Sequence, residues 1–204
     1  MNIKSSKGLW ALGALLGAAV ALVSYRYVLG VGLFAPNVMQ NRFVQPWIVV
    51  HAGGASTALL VGALQFLPRF RARGARTHRW VGRLYAAGCL AGGVSGLVLA
   101  VGTSAGPLAG WGFGLLAVCW LATTAQGWRF ARSRRFEDHR RWMIRSFALT
   151  FAAVTLRIYM PLAPLLGLDP LKAYVAIAWL CWVPNLLAAE LWLRGRPRPA
   201  PAYV

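Results

Sequence analysis

Acidic residues are nearly absent from this sequence. Its 204 residues include four Asp and Glu against 22 Lys and Arg, which gives a formal net charge of +18. The chain therefore has little from which to build the paired carboxylates of general acid and base catalysis. It also lacks the G-x-x-x-x-G-K-[ST] loop that cradles nucleotide phosphates and the H-E-x-x-H motif of zinc proteases. These absences argue against hydrolytic and phosphoryl-transfer enzymes.

Cysteine is scarce as well, which limits disulfides and metal thiolates. Cys89, Cys119 and Cys181 form no C-x-x-C pair, and each falls near the middle of a long apolar run. Small buried side chains are the ordinary role of such residues. We predict no disulfide and no metal site.

Long apolar runs dominate the rest of the chain. The composition is 58% hydrophobic with a mean hydropathy of +0.55, which is more apolar surface than a soluble domain of this length buries. At about 1.5 Å per residue, roughly 20 apolar residues cross a bilayer core of about 30 Å. The runs of this length cover residues 9–29, 47–67, 80–101, 108–129, 142–167 and 172–193. The sequence predicts an all-α integral membrane bundle of six helices over residues 9–193, flanked by residues 1–8 and a basic tail, residues 194–204.

Basic residues alternate with these runs and indicate an orientation. Clusters within residues 68–79 and 129–141 lie on the same side as both termini, and that side holds 18 of the 22 Lys and Arg. Positive residues stay on the cytoplasmic side of a bacterial inner membrane. We therefore predict cytoplasmic termini in contact with anionic lipid headgroups, and no nucleic-acid partner, because no basic face is continuous. On the opposite side, Arg26 is expected to snorkel outward to the headgroups.

A repeat relates two of the predicted helical hairpins. Gln65 precedes His78 by 13 residues, and Gln126 precedes His139 by the same interval. The matching strings are His78-Arg79-Trp80-Val81-Gly82-Arg83 and His139-Arg140-Arg141-Trp142-Met143-Ile144-Arg145. Repeats that run in the same direction are related by an axis along the membrane normal. The sequence predicts a central four-helix core built from a repeated hairpin, with the first and sixth helices either packed outside it or completing it.

Small residues indicate where this core packs most closely. Gly88, Gly92 and Gly96 are four residues apart and form one ridge on the third helix. The face of the second helix that carries His51 is also built of small residues, namely Gly54, Ala55, Ala58 and Gly62. We expect that face to contact a neighbouring helix, so that His51 points toward protein and not toward lipid.

Three strings resemble a known family. They are Gly62-Ala63-Leu64-Gln65-Phe66, the string from His78 to Arg83, and the segment that begins His139-Arg140-Arg141-Trp142-Met143-Ile144-Arg145-Ser146. They resemble a bacterial family of predicted multi-pass membrane proteins that is catalogued as a domain of unknown function. The resemblance covers roughly residues 47–193. It implies the fold and the membrane location, and it implies no reaction.

Polar groups at membrane depth are the candidates for function, because burying them in lipid is costly. His51 and Arg157 both fall in the half of the bilayer opposite the termini, where they could line one ligand pocket. Trp111 opens the fourth helix at that level and is expected to close the pocket. The fifth helix carries a polar stripe that faces the bundle interior: His139, Ser146, Thr150 and Arg157.

Ordinary structural roles could also explain these residues. Carbonyls freed by Pro161 could satisfy Arg157, and His51 could make an ordinary hydrogen bond between helices. The sharper hypothesis is that His51, Thr150 and Arg157 bind a small anionic or polar molecule, such as a lipid headgroup or a quinone.

A second hypothesis concerns the repeated histidines. Related by the repeat axis, His78 and His139 could ligate one haem b iron in an electron-transfer protein, with Arg83 and Arg145 on the propionates. The alternative is that each repeated string anchors its helix at the membrane interface, with its Trp and Arg at headgroup level. Glu190, near the end of the sixth helix, is expected to form a salt bridge with Arg83 or Arg145.

A third hypothesis assigns the chain a scaffold role. Trp179 and Trp182 would then offer an outer aromatic surface to another membrane protein or to a second copy of the chain. The sequence alone does not choose among these three functions.

Overall fold

A computed structural model describes residues 3–66 and 74–196, and within them it contains helices and no strand. The helices are α1 Ile3–Ser24, α2 Arg26–Leu29, α3 Pro36–Met39, α4 Val44–Gln65, α5 Ala75–Val101, α6 Pro107–Arg132, α7 Phe136–Thr150, α8 Ala152–Leu165, α9 Pro170–Leu180 and α10 Val183–Arg194. Part of the first basic cluster and most of the basic tail lie outside the described residues.

Six helical segments in the described residues are long and apolar enough to cross a membrane. They are Trp10–Leu29, Val44–Gln65, Arg76–Val101, Pro107–Arg132, Phe136–Leu165 and Pro170–Arg194. The first span joins α1 to α2, the fifth joins α7 to α8, and the sixth joins α9 to α10. The predicted all-α bundle of six spans is confirmed. Because the number of crossings is even, both ends of the described chain lie on one side, called here the termini face.

The spans are delimited by residues suited to turns between helices. Gly106, with a φ of 88°, permits the turn that leads into Pro107 at the start of α6. Asp169 caps α9, because its Oδ1 accepts a hydrogen bond of 2.8 Å from the backbone N–H of Lys172. Both turns lie on the face opposite the termini.

The core is a ring of four helices, α4, α5, α6 and α7. The most extensive packing joins α4 to α5, followed by α6 with α7 and α5 with α6, while α4 also contacts α7. The first span lies outside this ring against α4 and α8, and the sixth lies against α6, α7 and α8. This arrangement agrees with the predicted four-helix core and its two flanking helices.

Glycines bring α4 and α5 into backbone contact. A Cβ atom on Gly54 would lie 2.7 Å from the backbone N of Gly92 and 2.8 Å from the carbonyl O of Gly88. In the opposite direction, a Cβ atom on Gly88 would lie 2.7 Å from the carbonyl O of Gly54. No side chain fits between these backbones. The predicted small-residue ridge is therefore the α4–α5 interface.

Replacing Gly88 with Ala is expected to lower the stability of the bundle. The added methyl group must push α4 away from α5, and overpacking of this kind typically costs about 1–3 kcal/mol. Gly114→Ala is the matched control, because a Cβ atom there would lie 3.8 Å from Ala100, which is ordinary contact. Melting midpoints of the purified proteins in one detergent measure the difference. Equal midpoints for the two variants would contradict the backbone contact.

Candidate functional site

A cavity of about 420 Å³ lies among the spans, and every span contributes to its lining. Its volume is at the smaller end of the range for small-molecule pockets, about 300–1,000 Å³. The polar residues of the lining are Ser24, Arg26, Tyr27, Asn41, His51, Ser56, Thr103, Trp120, Thr150, Arg157 and Tyr174. The structure thus brings three of the predicted ligand-binding residues, His51, Thr150 and Arg157, to one cavity.

The basic residues of the cavity lie in the half of the membrane opposite the termini. At about 1.5 Å per residue, Arg26 lies about 5 Å from the end of its span at Leu29. By the same measure, His51 and Arg157 lie about 10 Å and about 12 Å from the nearest ends of theirs. Arg26 is therefore near the membrane surface, and the other two are one or two helical turns deeper.

Arg157 is held by one contact within its own helix and one to the first span. Its Nη1 donates to the carbonyl O of Ala153 at 3.0 Å, and its Nη2 donates to Ser24 Oγ at 2.7 Å. Ala153 precedes Arg157 by one turn and is not the residue whose carbonyl Pro161 frees, which is Arg157 itself. The interpretation that carbonyls freed by Pro161 satisfy the guanidinium was therefore wrong. The contact to Ser24 ties the fifth span to the first at the cavity wall.

His51 is both an interhelical contact and a cavity residue. Its Nδ1 lies 2.8 Å from the carbonyl O of Gly92 on α5. Because a carbonyl oxygen only accepts, Nδ1 carries a hydrogen in this arrangement. Nε2 then remains to bind a ligand. The predicted hydrogen bond between helices is confirmed, and the ring also lines the cavity.

Arg26 is a cavity residue that the sequence did not identify. It was expected to snorkel outward, but the structure places it in the cavity lining, and its Nε is buried with no hydrogen-bond partner among the described residues. Its Cζ lies 5.3 Å from the centre of the Tyr27 ring. The adjacent Tyr25 fixes this last turn, because its hydroxyl lies 2.7 Å from Thr57 Oγ1 on α4. No pattern within the first span distinguishes an inward-facing arginine from a snorkelling one.

No carboxylate balances these cations. Arg26, His51 and Arg157 all line this one cavity. The four acidic residues of the sequence all lie elsewhere: Glu137 and Asp138 pair with arginines at the start of α7, Asp169 caps α9, and Glu190 pairs with Arg145. The cavity therefore carries two guanidinium groups and no acidic side chain.

The inner end of the cavity is closed by a ring of hydrogen bonds. Trp120 Nε1 donates to Thr150 Oγ1 at 2.9 Å, and both residues line the cavity. The Tyr85 hydroxyl lies 2.8 Å from both Thr150 Oγ1 and Ser146 Oγ. Ser146 Oγ lies 2.7 Å from Thr124 Oγ1, which donates to the carbonyl O of Trp120 at 2.8 Å. Thr150 Oγ1 also donates to the carbonyl O of Ser146 at 2.9 Å, so every hydroxyl of the ring has a partner.

The sequence identified only part of this ring. The polar stripe predicted Ser146 and Thr150, whereas Tyr85, Trp120 and Thr124 were not singled out. Tyr85 is 1% exposed and Trp120 is 6% exposed, so both belong to the core. Aromatic residues with a polar atom need a partner when they are buried in lipid or protein. That requirement is the signal that would have pointed to them.

A family model described as "Predicted membrane protein (DUF2306)" matches residues 48–193. The chain belongs to this family. The family resemblance inferred from the motifs is thereby confirmed, and the matched range covers the second to the sixth span. No curated protein and no solved structure matches the chain. The family description gives the membrane location and no activity, so the function has to be argued from the site.

Two tryptophans of this DUF2306 chain are not where the sequence predicted them. Trp111 does not line the cavity, and it is 67% exposed on the outside of α6. Phe113 and Tyr174 line the cavity instead, with ring centroids 5.6 Å apart. Trp182 is 7% exposed, and its Nε1 donates to the carbonyl O of Ala178 at 3.0 Å. It is a core residue, so it cannot serve as an outer contact surface.

The repeated histidines lie at the termini face, away from the cavity. His139 Nδ1 lies 2.8 Å from the carbonyl O of Gly127, which joins α7 to α6. Arg145 is already bound to Glu190, as expected, and is not free for a haem propionate. Among the described residues, no three His, Cys, Asp or Glu side chains cluster as metal ligands. Haem ligation by His78 and His139, with Arg83 on a propionate, stays a prediction.

One short string has the spacing of a serine nucleophile elbow. Gly102-Thr103-Ser104-Ala105-Gly106 reads G-x-S-x-G. That motif places its serine between a strand and a helix. Here the string joins two helices, α5 and α6, at the face opposite the termini. The structural context for a hydrolase is missing.

Replacing Tyr85 with Phe is expected to break the hydrogen-bond ring. The change removes the contacts of the Tyr85 hydroxyl to Ser146 and Thr150, which keep their bonds to Thr124 and to the carbonyl O of Ser146, at a cost of about 1 kcal/mol for each lost hydrogen bond. Tyr159→Phe is the matched control, because the Tyr159 hydroxyl makes no hydrogen bond within the described residues. Thermal denaturation in detergent should show a lower midpoint for Tyr85→Phe alone. An unchanged midpoint would mean that the ring contributes little.

Proposed function

We propose that the cavity binds an anionic molecule that has an apolar body, with its charged group between Arg26, His51 and Arg157. The observation that carries the proposal is the pair of guanidinium groups in a cavity without an acidic side chain. A charge at membrane depth is usually paired, because leaving it unpaired there costs free energy. An anionic ligand would supply the missing partner.

The guanidinium groups suit a carboxylate or a phosphate. Arginine presents several N–H donors in one plane, and this geometry matches the oxygens of either group. Arg26 Nε is a donor that has no partner among residues 3–66 and 74–196, and Arg157 reaches Ser24 and Ala153 with its two terminal nitrogens. A bound anion would take its first hydrogen bonds from Arg26 and its charge neutralisation from both residues.

The remaining wall suits an apolar body. Apart from its polar residues, the lining is largely aliphatic and aromatic, and it includes Ile48, Leu59, Phe113, Leu116, Leu149, Leu156 and Met160. Burying apolar ligand surface there contributes roughly 25 cal/mol per Å². A hydrophilic anion would gain no binding free energy from this apolar wall. A single-chain amphiphile would place its charged group at the basic residues and its tail against the apolar lining.

The loop between the first and second spans borders the outer end of the cavity. Ala35, Val38 and Asn41 of this loop belong to the lining. Asn41 Nδ2 donates to the carbonyl O of Leu99 at 2.7 Å, which fixes the loop against the end of α5. The loop thus covers the side from which an amphiphile in the outer leaflet would approach.

The charge distribution supports an inner-membrane protein with cytoplasmic termini. The termini face carries most of the Lys and Arg residues, as the positive-inside rule requires of a cytoplasmic face. In this orientation the cavity lies in the leaflet that faces the periplasm. Its ligand would be a molecule of that leaflet or of the periplasm.

Binding of medium-chain amphiphiles tests the proposed ligand class. Protein purified in a neutral detergent is expected to bind decanoate and decyl phosphate more tightly than decanol, which has the same tail without the charge. Arg157→Gln should weaken binding of both anions by about tenfold or more, because it removes a charge-assisted interaction. Thermal shift and isothermal titration with each compound give the affinities.

Arg42→Gln is the control for this experiment. Arg42 lies on the same face, is exposed, and does not line the cavity, so its removal changes the net charge equally. The affinity of the Arg42→Gln variant for decanoate should equal that of the unaltered protein. Equal binding of decanol and decanoate, or equal losses in Arg157→Gln and Arg42→Gln, would overturn the proposal.

The proposed orientation has a test of its own. An alkaline phosphatase reporter, which is active only in the periplasm, should be active when it is inserted in the loop at Ser104. It should be inactive when it is inserted at Ser133, on the termini face. The reverse pattern would place the cavity in the cytoplasmic leaflet.

A further inference from the structure

The two repeats each stack an arginine on a tryptophan near the termini face. The Cζ atom of Arg83 lies 4.8 Å from the centre of the Trp80 ring, and the Cζ atom of Arg145 lies 4.8 Å from that of Trp142. In each repeat the arginine follows the tryptophan by three residues, which is close to one helical turn. The two pairs therefore have the same local geometry at equivalent positions.

In the second repeat this arginine binds a carboxylate. Glu190 of α10 accepts from Arg145 through both oxygens: Oε1 accepts from Nε, and Oε2 accepts from Nη2 at 2.9 Å. The pair is partly covered, with side-chain exposures of 18% for Arg145 and 32% for Glu190. The second repeat thus shows what an arginine stacked in this way binds, namely an anion with two oxygens.

In the first repeat the equivalent position has no acidic residue beside it. Arg83 is exposed, Trp80 is 58% exposed, and no described residue forms a salt bridge with Arg83. The nearby Arg76 and Arg79 on the same helix end are exposed too. The sixth span covers the pair in the second repeat, and no span covers it in the first.

We propose that Arg83 and Trp80 bind the phosphate of an anionic phospholipid in the leaflet at the termini face. The lipid phosphate would take the place that Glu190 occupies in the second repeat. Arginine recognises phosphate oxygens with the same planar donors that it uses for a carboxylate. Tryptophan is favoured at headgroup depth, where its ring packs beside the lipid.

The surrounding charge selects for an anionic lipid over a zwitterionic one. Arg76 and Arg79 add two exposed cations within two turns of Arg83, and no acidic residue on α5 offsets them. Each basic residue near an anionic membrane surface adds to the attraction for anionic lipid. A choline headgroup would bring its own cation into this cluster. The site lies at the opposite end of the bundle from the cavity, so it does not depend on the proposed function.

Lipid binding measured by native mass spectrometry tests the site. Full-length protein in a neutral detergent is titrated with phosphatidylglycerol, phosphatidylcholine or inorganic phosphate. The unaltered protein is expected to retain phosphatidylglycerol preferentially, and Arg83→Gln should weaken that binding by about tenfold. The matched control is Arg129→Gln, an exposed arginine on the same face that lies over Phe130, and it should bind as the unaltered protein does.

Glu190→Ala provides a second measurement that does not rely on a loss. This variant removes the carboxylate and vacates its place beside Arg145, so it should gain a phosphatidylglycerol site that the unaltered protein lacks. Four results would overturn the proposal: equal retention of the two lipids, equal effects of Arg83→Gln and Arg129→Gln, no added site in Glu190→Ala, or displacement of the lipid by millimolar phosphate. The last would identify a site for the free anion.

Discussion

The backbone contact between α4 and α5 is the constraint on which the rest of the structure depends. Helices in lipid gain no hydrophobic free energy from meeting one another, so they associate through close packing and hydrogen bonds. Gly54, Gly88 and Gly92 allow the two backbones to touch. The same contact brings the His51 ring to the Gly92 carbonyl, which orients the ring along the cavity wall. One set of glycines thus determines both the first hairpin and the position of a candidate ligand-binding group.

The second hairpin, α6 and α7, is held together by different contacts from those of the first hairpin, α4 and α5. By the spacing of the repeat, Thr150 is the equivalent of Gly88. Where the first hairpin has a glycine against a carbonyl, the second has a hydroxyl that accepts from Trp120 and contacts Tyr85. The hydrogen-bond ring ties α5, α6 and α7 together, whereas the glycines tie α5 to α4. Together they close the four-helix core and form the inner end of the cavity.

Much of the fold could be predicted from the sequence, because the pattern of residues directly indicates the length of each membrane helix, its small-residue face and its polar groups at membrane depth. The six spans, the Gly88–Gly92 ridge, the inward orientation of His51 and a salt bridge of Glu190 with Arg83 or Arg145 are of this kind. The positions of Arg26, Trp111 and Trp182 could not be predicted, since each depends on which neighbour lies beside the residue. Arg26 points inward because the first span packs against α4 and α8. The residue pattern of that span does not indicate this packing.

The departures from the repeat explain why both proposed sites lie where they do. The equivalent of His51 is Gly112, and a Cβ atom there would lie 2.9 Å from the carbonyl O of Ala178, so the sixth span fills that space. The same span supplies Glu190 to the second repeat's arginine. The first hairpin has its cavity at one end and an uncovered Arg83 at the other. A symmetric core with one asymmetric flanking helix therefore leaves two cationic positions without an acidic partner among the described residues, one at each end of the bundle, and these are the positions where we propose that an anion binds.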